Sequence, residues 1–402
     1  GNLSNISYIP LPETETRYIK IQMHATDKSA FGISELGILK IDNTLSLNKF
    51  FKLIASQSLQ GNYPRYFSGQ ASYWTITGVN NDKKEALINE DGMVEVDKAS
   101  FSIEPALEAN DIVYNWSNVN SQQSLDFMID KQKFPFTPNV ALTAEGLRLD
   151  IGVTSYGEAN TNSKLYISYI ISNTSEKRQE VKLHLLIRPF QVNPYYQFLN
   201  FEGGASKLQT IEEVIKGNII KADNKAISFS KPYNSLSAFS FDVGNPYDLI
   251  RGRKLPGANN VVDAQRLAQA VITYTFSLEP GQKEGVYLCV PYYESQNSFE
   301  QLTKEKAFEA FRAASDFWSG KINHIEFQLP QSARNIIDTW ESNLYYILVN
   351  RDIHGIQPGS RSYERSWIRD GSLTSSALMK SGIIEEVKAF TDWYAGHQYE
   401  NG

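Results

Sequence analysis

The chain has 402 residues, 41% hydrophobic and 21% charged, an ordinary globular balance with room for two or three domains. Its formal net charge is −6 and its Lys and Arg are scattered, which excludes a basic nucleic-acid-binding surface and leaves neutral sugars or small molecules as better-fitting partners. One cysteine excludes a disulfide framework or thiolate metal cluster, and no run of about 18 apolar residues is present to span a membrane.

Residues 1–16 are polar and read as a tail or linker. Residues 17–23 (RYIKIQM) alternate, and 32–41 (GISELGILKI) read as a strand after a turn; two strands alone make no core. Residues 47–58 (LNKFFKLIASQS) have the spacing of a short amphipathic helix. An all-β pattern follows, with alternating runs at 73–79, 146–154, 164–172, 180–189, 226–229, 270–278 and 285–291, separated by turn signals such as Asp91-Gly92 and Pro280-Gly281. About a dozen strands predict a large two-sheet sandwich. The runs flanking Asn173-Thr174-Ser175 read as a hairpin. Cys289, inside an apolar run, reads as a small buried hydrophobe.

The period changes near residue 298. Residues 299–320 read as a helix, 322–329 as an extended connector and 330–350 as a strong helix. A Gly/Pro-containing loop spans 354–366, followed by helices over 370–381 and 384–398. The aromatic faces of the 332–350 and 384–398 segments imply further helices beyond Gly402, so the chain is expected to be part of a longer protein. The organisation expected is a tail or module end at 1–46, a β-supersandwich at 47–297, a helical linker at 298–329 and an all-α segment at 330–402.

Residues 363–371 (YERSWIRDG) hold the densest chemistry, with four charged residues and two aromatics. Arg369 and Asp370 side by side suit a sugar, because a guanidinium donates in a fixed fork and a carboxylate accepts from neighbouring hydroxyls; Trp367 offers a stacking face. The same residues also fit an Asp N-cap with an Arg ion pair. The aromatics Tyr73, Trp74 and Trp116 read as sandwich core, and the 188–194 loop (RPFQVNP) as a structural contact between the two parts. The five histidines lack metal-ligand spacing, and no phosphate- or nucleotide-binding motif is present, so no cofactor is expected.

Residues 366–373 (SWIRDGSL) resemble the W-x-R-D-[GS]-[AS]-L signature of six-hairpin (α/α toroid) glycosidases, including glucoamylase-like and cellobiose-phosphorylase-like enzymes. The order of a large sandwich, a helical linker and toroid helices is shared with them. Segments GNYPRYF (61–67), QASYWTITG (70–78), FSIEP (101–105), RPFQVNPYYQFLN (188–200) and WYAGHQYENG (393–402) are similar to uncharacterised bacterial discoidin-domain-containing proteins, and the 17–39 pattern to the end of a discoidin-like module.

The resemblance implies a β-supersandwich followed by the first helices of an α/α toroid, in a carbohydrate-active enzyme. It implies that Arg369 and Asp370 hold the sugar, with Trp367 in or behind that subsite. An inverting glycoside hydrolase on oligo- or polysaccharides is expected first; a glycoside phosphorylase or a non-catalytic carbohydrate-binding protein are the alternatives. In such enzymes the acid and base come from later loops, so this chain is expected to lack them, with Glu364 and Glu400 as weak candidates. No signal peptide is visible; a polysaccharide-degrading parent is expected to be secreted or periplasmic.

Overall fold

A computed structural model describes residues 15–22, 33, 36, 46–293 and 300–401. Of the strand expected over 17–23, residues 17–22 are exposed and outside regular structure. Most of the run at 32–41, and with it the discoidin-like pattern, lies outside the described residues.

Two antiparallel sheets form the body. Among the described residues the first has eight strands, in the order Trp74–Gly78, Glu85–Asn89, Val94–Glu95, Ser102–Ala109, Gln179–Arg188, Gln269–Leu278 and Ser235–Phe239, with Ile112–Tyr114 added to Ser102–Ala109. The second has nine, in the order Asn260–Val262, Thr210–Ile215, Ile219–Ala222, Lys225–Phe229, Lys283–Pro291, Lys164–Asn173, Leu147–Tyr156, Asn139–Ala144 and Asn120–Ser124. Alternate residues of both sheets, such as Leu165, Ile167 and Tyr169 opposite Val181, Leu183 and Leu185, make the main core.

The hairpin expected around 173–175 is not formed. Lys164–Asn173 pairs with Leu147–Tyr156 and Lys283–Pro291, whereas Gln179–Arg188 pairs with Ser102–Ala109 and Gln269–Leu278. The connection crosses from one sheet to the other. Both strands are apolar on their core faces, so facing each other across the core buries them as well as lying side by side. Asn173 stabilises the crossing by donating its side-chain amide to Leu278 O (2.9 Å) and Lys177 O (2.7 Å).

Helix α1 (Leu47–Gln57) starts at Ser46, whose hydroxyl accepts from Lys49 N, and buries Phe50, Phe51 and Ile54. Phe51 meets Phe190 edge-on at 4.7 Å. A short helix, α2 (Pro246–Arg251), begins with Asn245 as cap and Pro246 in its first turn, and seats Tyr247, Leu249 and Ile250 against Leu186 and Val271 on the outer face of the first sheet.

Helix α3 (Lys304–Ile322) packs Ala307 and Phe311 on Phe127, Phe134, Ile170 and Tyr287, on the outer face of the second sheet. Cys289 is buried in this same cluster. At its far end Trp318 meets Tyr345 of α4 (Arg334–Val349) edge-on at 5.0 Å. Helices α5 (Ile368–Lys380) and α6 (Glu385–Ala395) follow. Helix α3 thus runs through Ile322, which the expected connector had claimed; residues 323–330 are outside helix and strand.

The helices α4–α6 lie against the outer face of the first sheet. Within the strand Glu85–Asn89, Ala86 and Ile88 join the main core, while Leu87 joins a second cluster with Ile76, Tyr345, Leu348, Ile356 and Phe390. The strand is therefore buried on both faces. Tyr345 Oη also donates to Ile76 O at 3.3 Å. This second cluster corrects the reading of the aromatics as sandwich core: Trp74 packs against it as a half-buried side chain, Tyr73 is exposed, and Trp116 donates its Nε1–H to Tyr63 O at the surface of the same cluster.

Candidate functional site

The segment of residues 350–367 connects α4 to α5 and bonds to the first sheet through Glu85 and Glu95. It opens with a two-stranded hairpin, Arg351–Asp352 with Gly355–Ile356, and continues through a single 3₁₀ turn, Arg361–Tyr363. Gly355 packs close to Ser366: a Cβ there would lie 2.7 Å from Ser366 Oγ.

Helix α5 begins at Ile368, two residues before the expected start. Its first backbone bond runs from Gly371 N to Trp367 O at 2.8 Å, and Trp367 occupies the cap position without a side-chain capping bond. Asp370 is therefore inside the first turn and is not the N-cap. A carboxylate there interacts favourably with the positive end of the helix dipole.

Trp367, Arg369 and Asp370 all reach solvent. Trp367 is 47% exposed, and the side chains of Arg369 and Asp370 are 80% and 27% exposed. Arg369 Nη2 stands 3.4 Å from Asp370 Oδ2, a loose pair that leaves donors and acceptors free for a ligand. The Arg365 guanidinium lies over the Trp367 ring, 4.9 Å from its centroid. Tyr363 and Leu373, both exposed, flank the group. An apolar ring, a cation and a carboxylate on one helical turn can stack against a sugar face while donating to and accepting from its hydroxyls.

Just before this exposed group the chain enters a buried ion cluster, whose members other than Glu364 went unmarked in the sequence reading. The Arg361 guanidinium donates from Nε to Glu95 Oε1 (2.8 Å) and from Nη1 to Glu85 Oε1 (2.9 Å). Ser360 Oγ donates to the same Glu85 oxygen. Lys98 Nζ pairs with Glu85 Oε2 at 3.0 Å and Glu364 Oε1 at 2.6 Å, with Asp352 Oδ2 at 3.8 Å. Glu95 Oε2 accepts from Asn193 N at 3.0 Å. Burial pushes the Glu85 carboxyl up to about 7 despite Lys98 and Arg361, and burial likewise raises Glu364 and Asp352.

Of the two weak acid candidates, Glu364 thus lies inside this cluster, held by Lys98, while Glu400 is exposed. The 188–194 loop, expected to bridge the two parts, makes its side-chain hydrogen bonds within the sandwich, and it is Asn200, beyond the loop, that reaches the helical part. Arg188 is buried on Glu104 (3.0 Å) and Asn62 O (2.8 Å), Asn193 reaches Glu95, and further along Asn200 Nδ2 donates to Ser362 O at 3.0 Å. A sequence signal for the cluster existed: Glu85 and Glu95 sit in short apolar strands where a solvated charge is out of place.

Among the described residues no group of three or more His, Cys, Asp or Glu is arranged to hold a metal, and no helix is long and apolar enough to cross a membrane.

No protein-family model matches the chain, and no curated protein matches it. Among solved structures it is similar to a bacterial glucoamylase complexed with acarbose, at 12% identity and a TM-score of 0.53, over 81% of this chain and 51% of that one. Weaker likenesses are to a candidate kojibiose phosphorylase from the human microbiome (10% identity, TM-score 0.34, 71% of this chain and 36% of that one) and a GH92 family glycosyl hydrolase (9%, 0.25, 69% and 37%). The chain spans about half the length of the glucoamylase it matches. The likeness to the glucoamylase is one of fold: large antiparallel sheets followed by a helical region.

Proposed function

We propose that the chain is the sandwich and opening toroid helices of a carbohydrate-active enzyme, a glycoside hydrolase acting on oligo- or polysaccharides. Trp367, Arg369 and Asp370 form its sugar-binding subsite. The observation that carries this reading is the solvent-facing Trp367–Arg369–Asp370 group on the first turn of α5, in a fold shared with a bacterial glucoamylase. In this reading Arg369 donates to sugar hydroxyls, Asp370 accepts from a neighbouring pair, and the Trp367 ring covers a C–H face. Glu364 keeps a structural role because its carboxylate is already held by Lys98. The acid and base of an inverting hydrolysis come from another part of the full protein, which is secreted or periplasmic.

The test is titration calorimetry with acarbose as probe, alongside glycosidic-bond cleavage by the full-length protein. Asp370→Ala removes charge-assisted hydrogen bonds worth about 1.5–3 kcal/mol in total, so binding weakens about 10- to 100-fold and cleavage is lost with the far-UV spectrum unchanged. Undiminished binding and cleavage by Asp370→Ala rejects the assignment. Binding that depends on Asp370, with no cleavage by the full-length protein, assigns a carbohydrate-binding role without catalysis.

A further inference from the structure

The candidate sugar residues belong to the helical part, yet the segment that carries them is tied to the sandwich by charge. Lys98 lies in the turn after the strand Val94–Glu95, and its side chain is 10% exposed. It bridges Glu85 of the sandwich and Glu364, two residues before Ser366 and three before Trp367. Arg361 makes the reciprocal link, reaching from the segment to Glu85 and Glu95. Two cations, Lys98 and Arg361, meet four carboxylates, Glu85, Glu95, Asp352 and Glu364.

Removing one cation from so acid-rich a buried group leaves carboxylates unpaired, which is far costlier than losing a surface pair. Between this cluster and α5 the chain is also held by Arg365 N bonded to Tyr363 O at 2.7 Å and by Ser366 packed close to Gly355, and Glu364 Oε2 has no hydrogen-bond partner. The Lys98–Glu364 pair ties the sandwich to the chain three residues before Trp367.

Resting on the sugar-binding reading above, we propose that Lys98 is a positioning residue: through Glu364 it sets the placement of Trp367, Arg369 and Asp370 from the sandwich side, without touching the sugar.

The test uses Lys98→Met, which keeps length and apolar stem, and Lys98→Arg, which restores the charge. Two readouts are followed: acarbose affinity and amide hydrogen exchange. In Lys98→Met, exchange at residues 364–371 accelerates about tenfold or more while the core strand Lys164–Asn173 keeps its protection, and acarbose affinity falls about tenfold. Lys98→Arg recovers most of both. Exchange at 364–371 that stays at the wild-type level overturns the proposal. So does loss of protection shared equally with the sandwich core, because Lys98 would then support the fold alone. A wild-type protein that does not bind acarbose rejects the sugar reading, and the exchange comparison then decides by itself whether Lys98 orders the segment.

Discussion

Glu85 faces away from the main core, on the same side of its strand as Leu87, toward the helices. Its carboxyl is raised from 4.5 to about 7 because burial outweighs Lys98, Arg361 and the Ser360 hydroxyl, with Glu364 adding repulsion. Between these two values the folded protein holds a proton that the unfolded chain has released. The stabilising contribution is therefore complete below pH 4.5 and is lost as pH rises through about 7, on the order of 3 kcal/mol in all. Asp352 and Glu364, raised by burial in the same cluster, act in the same sense. Urea midpoints of the wild type are expected to fall between about pH 5 and pH 8, and Glu85→Gln is expected to flatten that slope. An undiminished slope in Glu85→Gln would place the titration elsewhere.

The α5–α6 pair shows how one glycine decides the packing of two helices. In mid-helix a glycine costs about 1 kcal/mol relative to alanine, so Gly371→Ala should stabilise an isolated α5. In the folded chain a Cβ at 371 would stand 2.2 Å from Phe390 Cζ and 2.7 Å from Cε1, inside a ring that is itself buried. Gly371→Ala is thus expected to destabilise by about 1–3 kcal/mol, read as a lowered melting temperature. Pairing it with Phe390→Leu, which withdraws the ring edge, is expected to cost less than the sum of the single changes. Strict additivity would show that the two residues do not meet. The helix spacing itself was legible: the expected segments at 330–350 and 384–398 contain α4 and α6. The start of α5 was not, because Asp370 has the chemistry of a cap but lies in the first turn, with Trp367 as a cap that lacks side-chain bonding.

Over the whole molecule, burial among the described residues comes in layers: a core between the sheets, and three further clusters where helices cover their outer faces. Cys289 lies in one of these outer layers, under α3. Burial pushes its thiol up to about 12, so in the native state it is both inaccessible and protonated. Labelling by an aromatic disulfide reagent at neutral pH is expected to be negligible in native buffer and to follow unfolding in denaturant. Rapid stoichiometric labelling of the native protein would show that α3 does not cover the second sheet. The covering layers also explain why some strands escaped the sequence reading. Glu85–Asn89 and Ser102–Ala109 are buried on both faces or nearly so, and lack the apolar–polar alternation that marks a half-exposed strand.

The class of each region and the exposed Trp367–Arg369–Asp370 group were legible along the chain. Alternating runs at 146–154, 164–172 and 270–278 read as strands, the period change near 298 announced helices, and Trp367, Arg369 and Asp370 stood out as a local motif. These are short-range properties, set by backbone periodicity and by neighbouring side chains. The tertiary structure alone decided that the strands on either side of Asn173 belong to different sheets, that Gly371 makes room for Phe390, and that Lys98 and Glu85 meet Arg361 and Glu364 across more than 260 positions. Such pairings arise because a buried face or charge takes whatever complementary surface the fold brings to it, and that surface is distant in the chain.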